Sequence, residues 1–205
     1  IAAKRWSEVQ KAQIRESRVK GTRLLADALA GLSAPPRTMV SASAIGYYGN
    51  RGDEALVEES PQGKGYLPEV CQAWEAGTES AARKGIRVVN LRFGVILSPA
   101  GGALAKMLFP FRMGGGGILG NGRQFMSWIS LDDAVGSVLH VLETPALRGP
   151  VNAVSHNPVT NYEFTKTLGL VLKLPTIFPM PAFATRMMFG EMADALLLAR
   201  TRVEP

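Results

Sequence analysis

Apolar positions along the chain follow two alternating rhythms. Ser7, with Gln10 three residues on, has the form of a capping box. Behind it Ile14, Val19, Leu24 and Leu25 run through a polar stretch that stops near Gly31, which predicts a helix. Past Pro35-Pro36 the compact run from Thr38 to Ser43 predicts a buried strand. Residues 46–65, rich in Gly, Asp, Glu, Ser and Pro, have the composition of a long loop leaving that strand. Leu67, Val70, Cys71, Trp74, Thr78 and Ala81 recur at three- and four-residue steps and predict one amphipathic helix, and Ile86 to Phe93 predicts the next strand. After a glycine-rich segment come a strand from Met126 to Ser130 and a helix capped by Asp132 and Asp133, with Val135, Val138, Leu139 and Leu142 facing inward. A strand from Gly149 to Val154 and a helix capped by Thr160 and Glu163 follow.

This alternation predicts an α/β fold: a doubly wound parallel sheet covered on both faces, with ligands in the crevice beyond the carboxyl ends of the strands. The strand closing at Ser43 is expected beside those starting at Ile86 and Met126. With 205 residues, 46% of them apolar, the chain can bury a real core and sits near the upper end of one ordinary domain. A formal charge of +6 suits an anionic cofactor or partner, but falls short of a nucleic-acid signature and argues against that class. Cys71 is the only cysteine and no Cys/His spacing resembles a metal site, so neither disulfides nor a metal are expected. His140 and His156 accompany no metal or nucleophile motif. No apolar run approaches the roughly 20 residues that cross a bilayer, so no membrane span and a soluble protein are expected. The chain opens Ile-Ala-Ala-Lys, without an initiator Met or a targeting peptide, so any address is expected to have been removed or left out.

Three segments together resemble the extended short-chain dehydrogenase/reductase superfamily: Ser41-Ala-Ser-Ala-Ile-Gly-Tyr-Tyr-Gly49, Leu91-Arg-Phe-Gly-Val95 and Gly120-Asn-Gly-Arg-Gln-Phe-Met-Ser-Trp-Ile-Ser-Leu-Asp-Asp133. The likeness narrows to an atypical epimerase-family branch through Lys4-Arg5-Trp6, Glu16-Ser17-Arg18, Trp74-Glu75, Met107-Leu-Phe-Pro-Phe-Arg112 and Val151-Asn-Ala153. Residues 190–205 look most like its cyanobacterial and plastid members. It covers essentially the whole chain. It implies a Rossmann-like sheet, incomplete at the N-terminus because the chain starts just after the family's fourth strand, with a small C-terminal substrate lobe. Residues 1–98 would be the C-terminal part of the dinucleotide-binding domain and 99–205 the lobe, with the strand-helix-strand of 126–154 returning to the main sheet. The implied cofactor is NADP or NAD, NADP slightly preferred, and the partner a small carbonyl or hydroxyl substrate. The implied compartment is the plastid stroma for an alga or plant and otherwise the bacterial cytoplasm. The family's glycine-rich phosphate turn would lie upstream. Gly114-Gly-Gly-Gly117 belongs to no strand-turn-helix and has no Lys-Ser/Thr partner, and reads as a flexible loop.

Ser43 matches the Ser or Thr that, in the superfamily, hydrogen-bonds the reacting carbonyl; the alternative is a hydroxyl closing a turn. Ser41 and Ala42 would line the cofactor. Family members follow this Ser with Tyr-x-x-x-Lys, but here Tyr66 has Val70 four residues later, and the other register puts Leu67 and Cys71 at the two positions. Bringing a phenol from a pKa of about 10 to about 7 takes roughly 4 kcal/mol, drawn largely from that Lys. Tyr66 should therefore stay neutral, able to orient a carbonyl but a poor base. Tyr47 and Tyr48 are substitute donors, with aromatic packing as the alternative. The missing Lys also supports a second class, a catalytically silent member serving as a subunit or regulator of a larger assembly. Cys71 lies on an apolar stripe and reads as buried and structural. Arg92, Gly94 and Val95 follow the strand that the family places beside the nicotinamide, where Gly94 would permit close approach; the alternative for Arg92 is an ion pair with a neighbouring loop. Arg18 stands where sugar-nucleotide epimerases use an Asn near the substrate and would hold a phosphate or carboxylate, or else face water. In the C-terminal lobe Arg123 would grip an anion, while Met126-Ser127 replaces an Arg-Asp pair common in sugar-nucleotide enzymes and argues against such a substrate.

Overall fold

The computed structural model describes residues 5–205; Lys4, part of the Lys4-Arg5-Trp6 run, lies outside the described residues. Helix α1 (Glu8–Ala30) starts at Ser7, whose Oγ accepts from the Gln10 amide at 3.2 Å. Strand β1 (Thr38–Ala44) runs into a single 3-10 turn over Ile45–Tyr48. The following loop holds a two-residue strand, β2 (Ala55–Leu56), and leads to α2 (Tyr66–Ala76) and α3 (Glu79–Arg83). Next come β3 (Arg87–Phe93), β4 (Val95–Ser98) and α4 (Gly102–Arg112). Beyond them lie β5 (Phe125–Met126), β6 (Trp128–Ser130), α5 (Leu131–Glu143) and β7 (Gly149–Ala153). The chain continues through β8 (Val159–Thr160), α6 (Asn161–Leu172), α7 (Ala182–Phe189) and β9 (Arg202–Val203).

Three strands in the order β1-β3-β7, all parallel, form the main sheet. Because side chains alternate along a strand, β3 sends Val89 and Leu91 to one face and Asn90 and Arg92 to the other. Val89 and Leu91 pack with Ile129, Ala134, Val141 and Ala153 under α5. Met39 and Ile86 pack with Ala26 of α1 and Ala81 of α3 on the opposite face. Helices thus cover both faces, as a doubly wound Rossmann-like sheet requires. No helix among the described residues is long and apolar enough to cross a membrane.

Six expectations need correction. Residues 126–130 are not one strand of the main sheet: β5 pairs antiparallel with β8, and β6 pairs parallel with β4, which follows β3 after Gly94 alone. The break falls at Ser127, whose carbonyl accepts from the Val95 amide at 2.9 Å. The third main strand is β7, so only the end of the 126–154 unit returns to that sheet. The expected single helix over 67–81 is two, because Thr78 turns its hydroxyl back onto the Glu75 carbonyl at 2.7 Å and closes the first.

On α5 the inward stripe is Ala134, Val138 and Val141, while Val135, Leu139 and Leu142 are exposed. The helix rotation is fixed at its ends. Ser130 is the cap in place of Asp132 or Asp133, accepting from the Asp133 amide and donating to its carboxylate. Arg87 of β3 donates to the carbonyls of Val141, Thr144 and Leu147 at the far end. Finally, Gly116 and Gly117 are packed, with the Phe111 ring and the Phe178 carbonyl where a Cβ would stand.

Candidate functional site at the strand ends

Arginine and glutamate are almost never buried unless paired, and the carboxyl ends of β1 and β3 are organised around one such pair. Arg92, 3% exposed, donates from Nε and Nη2 to the two carboxylate oxygens of Glu75 on α2, both at 2.9 Å. Ser43, beside Arg92 in the β1–β3 register, donates its hydroxyl to the same carboxylate at 2.6 Å. From Nη1, Arg92 also donates to the Tyr48 hydroxyl at 2.9 Å and the Glu58 carbonyl at 3.3 Å. Tyr48, fully buried, passes the chain on to Asn152 Oδ1 at 2.7 Å. Asn152 in turn donates its amide to the Glu58 carboxylate and its Nδ2 to the Glu204 carbonyl. Burial works against the Arg92 charge, but the bonds to Glu75 and Tyr48 outweigh it and hold the guanidinium above its ordinary value. Burial pushes the Tyr48 phenol up, so it stays neutral.

Tyr47 lies on this network without joining its hydrogen bonds. Its ring centroid is 3.5 Å from the Arg92 guanidinium carbon, and it meets the Tyr48 ring edge-on at 5.4 Å. Among the described residues nothing hydrogen-bonds its hydroxyl.

Tyr66 and Ser43 are not brought together. Tyr66 opens α2 and donates to the Lys11 carbonyl of α1 at 2.7 Å. Glu75, which holds Ser43, lies nine residues further along the helix, a rise of about 14 Å. Burial raises the Tyr66 phenol, with Arg18 and Lys11 opposing in part. Cys71 is buried and its thiol pushed up to about 12, first by burial and then by the Glu75 charge.

Ser41 is buried beside Asn90, whose Oδ1 has no partner, whereas Ala42 is exposed. At Gly94 the space a Cβ would need is filled by the chain itself: it would lie 2.6 Å from the Ser127 carbonyl oxygen and 3.0 Å from Val154. The half-buried Val95 is tied to that carbonyl too. The ion pair of Arg92 is with Glu75 on a helix, and the neighbouring loop gives it only the Glu58 carbonyl. Arg18, half-buried, lies against Trp74 with its guanidinium carbon 5.3 Å from the ring. Arg123 is exposed; a cleft of about 380 Å3 in its lobe is lined instead by Asn121, Gln124, Arg186 and Arg200, the arginines paired with Asp194 and Asp53. No cluster of His, Cys, Asp and Glu suited to a metal occurs among the described residues.

Ser127, read from the sequence only as part of the replacement of an Arg-Asp pair, has a structural task. Its buried Oγ accepts from the Val203 amide at 2.8 Å and donates to the Thr201 carbonyl at 3.0 Å. With the parallel pairing of β9 on β2, this draws residues 201–204 across the strand ends. Glu58, Glu75 and Asn152 were also missed as site residues; the available signal was Arg92 itself, a charge inside an apolar strand that must find a partner.

Comparison with known proteins fits this geometry. Residues 1–154 match the profile described as the NAD dependent epimerase/dehydratase family. An epimerase family protein of Mycobacterium bovis is 45% identical over all 205 residues, which span 67% of it. The chloroplastic SDR39U1 homolog of Arabidopsis thaliana is 42% identical over 94% of the chain and 56% of the relative. The chain therefore spans 56–67% of the length of these two relatives. The crystal structure of human epimerase family protein SDR39U1 with NADPH superimposes with a TM-score of 0.91 at 33% identity, covering 98% of this chain and 68% of that one.

Proposed function

Since this chain belongs to the NAD dependent epimerase/dehydratase family, as an atypical short-chain dehydrogenase/reductase of the SDR39U1 type, we propose that it contributes the substrate side of an NADP(H)-dependent site acting on a small carbonyl compound, with Tyr47 as the proton donor. One observation carries the reading. Of the candidate hydroxyls, Ser43 is committed to Glu75, Tyr48 to Asn152 and the distant Tyr66 to Lys11, while that of buried Ser41 faces the Ala42 carbonyl at 3.4 Å, which leaves that of Tyr47.

The residues present fit half of the cofactor. Tyr47 offers a donor and exposed Ala42 open space for a nicotinamide riboside, while the one run with G-x-G-x-x-G letters, Gly115 to Gly120, follows helix α4 and not a strand, and so does not make the strand-turn-helix that holds a pyrophosphate. When bound, the dinucleotide supplies hydride. The Tyr47 ring lies against the Arg92 guanidinium, which Glu75 neutralises, and its hydroxyl would give its proton to a carbonyl oxygen becoming an alcohol. NADPH is preferred over NADH, following the ligand named for the human structure. We further propose residues 1–98 and 99–205 as the two functional lobes. The setting would be the plastid or the bacterial cytoplasm, where the plant relative is named chloroplastic and others are bacterial.

Fluorescence titration of the full-length gene product with NADPH and NADH tests binding, and a carbonyl screen tests turnover. Tyr47→Phe should then lower kcat roughly 10²–10⁴-fold with little change in NADPH affinity. Turnover within twofold of wild type would remove Tyr47 from the chemistry. A silent subunit or regulator is the second reading, supported by an α2 with no Lys or Arg; NADPH binding with no turnover on any carbonyl would favour it.

A further inference from the structure

Helices α1 and α2 are zipped at two points: Tyr66 donates to the Lys11 carbonyl at 2.7 Å, and Trp74 Nε1 donates to Thr22 Oγ1 at 2.9 Å. Lys11, Arg18 and Thr22 share a face of α1 by their spacing, so Arg18 lies between the two bonds, opposite the middle of α2. Val70 and Cys71 there are the positions at which the two registers of Tyr-x-x-x-Lys would put the cation. A guanidinium on the facing helix occupies that neighbourhood instead.

Its hydrogen bonding is incomplete. Nη1 donates to the Ile14 carbonyl at 2.9 Å and, at 3.4 Å, to Ser17 Oγ. Nε is buried with no partner, and Nη2 makes no hydrogen bond among the described residues. These two nitrogens form the edge of the fork that Arg92 uses to hold Glu75. Other half-buried arginines are satisfied: Arg51, Arg200 and Arg202 each hold a carboxylate, and Arg87 is caged by carbonyls. Arg18 alone among these is a partly desolvated cation with neither, which costs free energy until an acceptor arrives.

We propose that Arg18 is an oxyanion-binding residue whose Nε–Nη2 edge, set against Trp74, takes the carboxylate or phosphate group of the substrate. The substrate class is then a small carbonyl compound carrying one oxyanion. The assignment of the anion to a substrate rests on the function proposed above; the binding itself does not. Cys71, whose thiolate both Arg18 and Arg92 favour against burial, lies beneath the turn that carries Tyr47, its Sγ 3.5 Å from where a Cβ on Gly46 would stand. One cation is neutralised by Glu75; the other is left for the ligand.

The arginine Nε–H region of an 15N–1H spectrum of the full-length gene product tests this, with the Arg18 signal identified by its loss in Arg18→Lys. Sodium pyruvate, sodium phosphate and sodium chloride are titrated at matched ionic strength. The Arg18 signal should move saturably with pyruvate or phosphate and not with chloride, and Arg18→Gln should weaken that binding at least tenfold. Movement with pyruvate alone assigns a carboxylate, and movement with phosphate alone a phosphorylated substrate. A signal that none of the salts moves, or that chloride moves equally, overturns the proposal. Should Arg18→Gln fail to fold, the wild-type titration still decides. Because NADPH binding and the Tyr47→Phe rate are read separately, a failure of the catalytic reading leaves this result standing, and the converse.

Discussion

Glu75→Gln replaces a carboxylate by an isosteric amide at the hub of the strand-end network. Three groups feel it: Arg92 loses its counter-ion, Ser43 its charged acceptor and the second carboxylate oxygen becomes a donor facing a donor. With Arg92 3% and Glu75 14% exposed, solvent can repair little of this. Breaking a buried pair from one side costs about 3–5 kcal/mol. The remaining bonds from Arg92 to Tyr48 and to the Glu58 carbonyl place the expectation at the lower end, about 3 kcal/mol. Against a typical total of about 5–15 kcal/mol this is a large share, and with a urea slope of about 2 kcal/mol per molar the midpoint should fall by roughly 1.5 M. The companion double variant Glu75→Leu with Arg92→Met leaves no buried charge and should recover most of the loss, a coupling of about 2 kcal/mol or more. Urea unfolding followed by circular dichroism measures all of them. A single-variant cost under about 1 kcal/mol, or strict additivity of the two singles, would refute the claim that this pair is buried and interdependent.

Three other outcomes are expected. Gly94→Ala puts a methyl 2.6 Å from the Ser127 carbonyl oxygen and should cost about 1–3 kcal/mol in thermal or urea unfolding; wild-type stability would show that β6 yields freely. Ser127→Ala leaves the Val203 amide buried and unpaired, so about 1–3 kcal/mol should be lost and hydrogen exchange at Val203 should quicken while β3 amides stay protected. Cys71 binds its proton more tightly folded than unfolded. Its contribution to stability is thus complete below about pH 9 and drains away as pH rises towards about 12, and iodoacetamide should label the native protein far more slowly than the urea-unfolded chain at pH 9.

Features set by neighbours in sequence were legible before the fold was known. The Ser7–Gln10 and Thr160–Glu163 starts, the strand from Thr38 and the strand ending at Phe93 all depend on caps and short apolar runs, and all appear. Elsewhere a distant contact overrode the local pattern. On α5 both 131/135/139 and 134/138/141 have helical spacing; Ser130 and Arg87 select the second, with small Ala134 letting the helix close on the sheet. Strands β2 and β9, two residues each, exist only through one another and leave no periodic trace. Arg92 could be singled out as a charge in an apolar strand, but its ion-pair partner came from the helix above and not from the loop beside it, which spacing along one chain does not encode.

The pairing of β9 with β2 also bears on how the protein is made. Synthesis proceeds from the N-terminus, and Val203 and Glu204 reach the ribosome exit long after β1, β3 and β7 have emerged. Until then Ser127 and the Asn152 side-chain amide have only water for the partners they later find in that stretch. A nascent chain that has released β7 therefore still lacks the backbone groups that Ser127 and Asn152 hold in the finished fold, and these two polar side chains stay hydrated until residues 201–204 emerge.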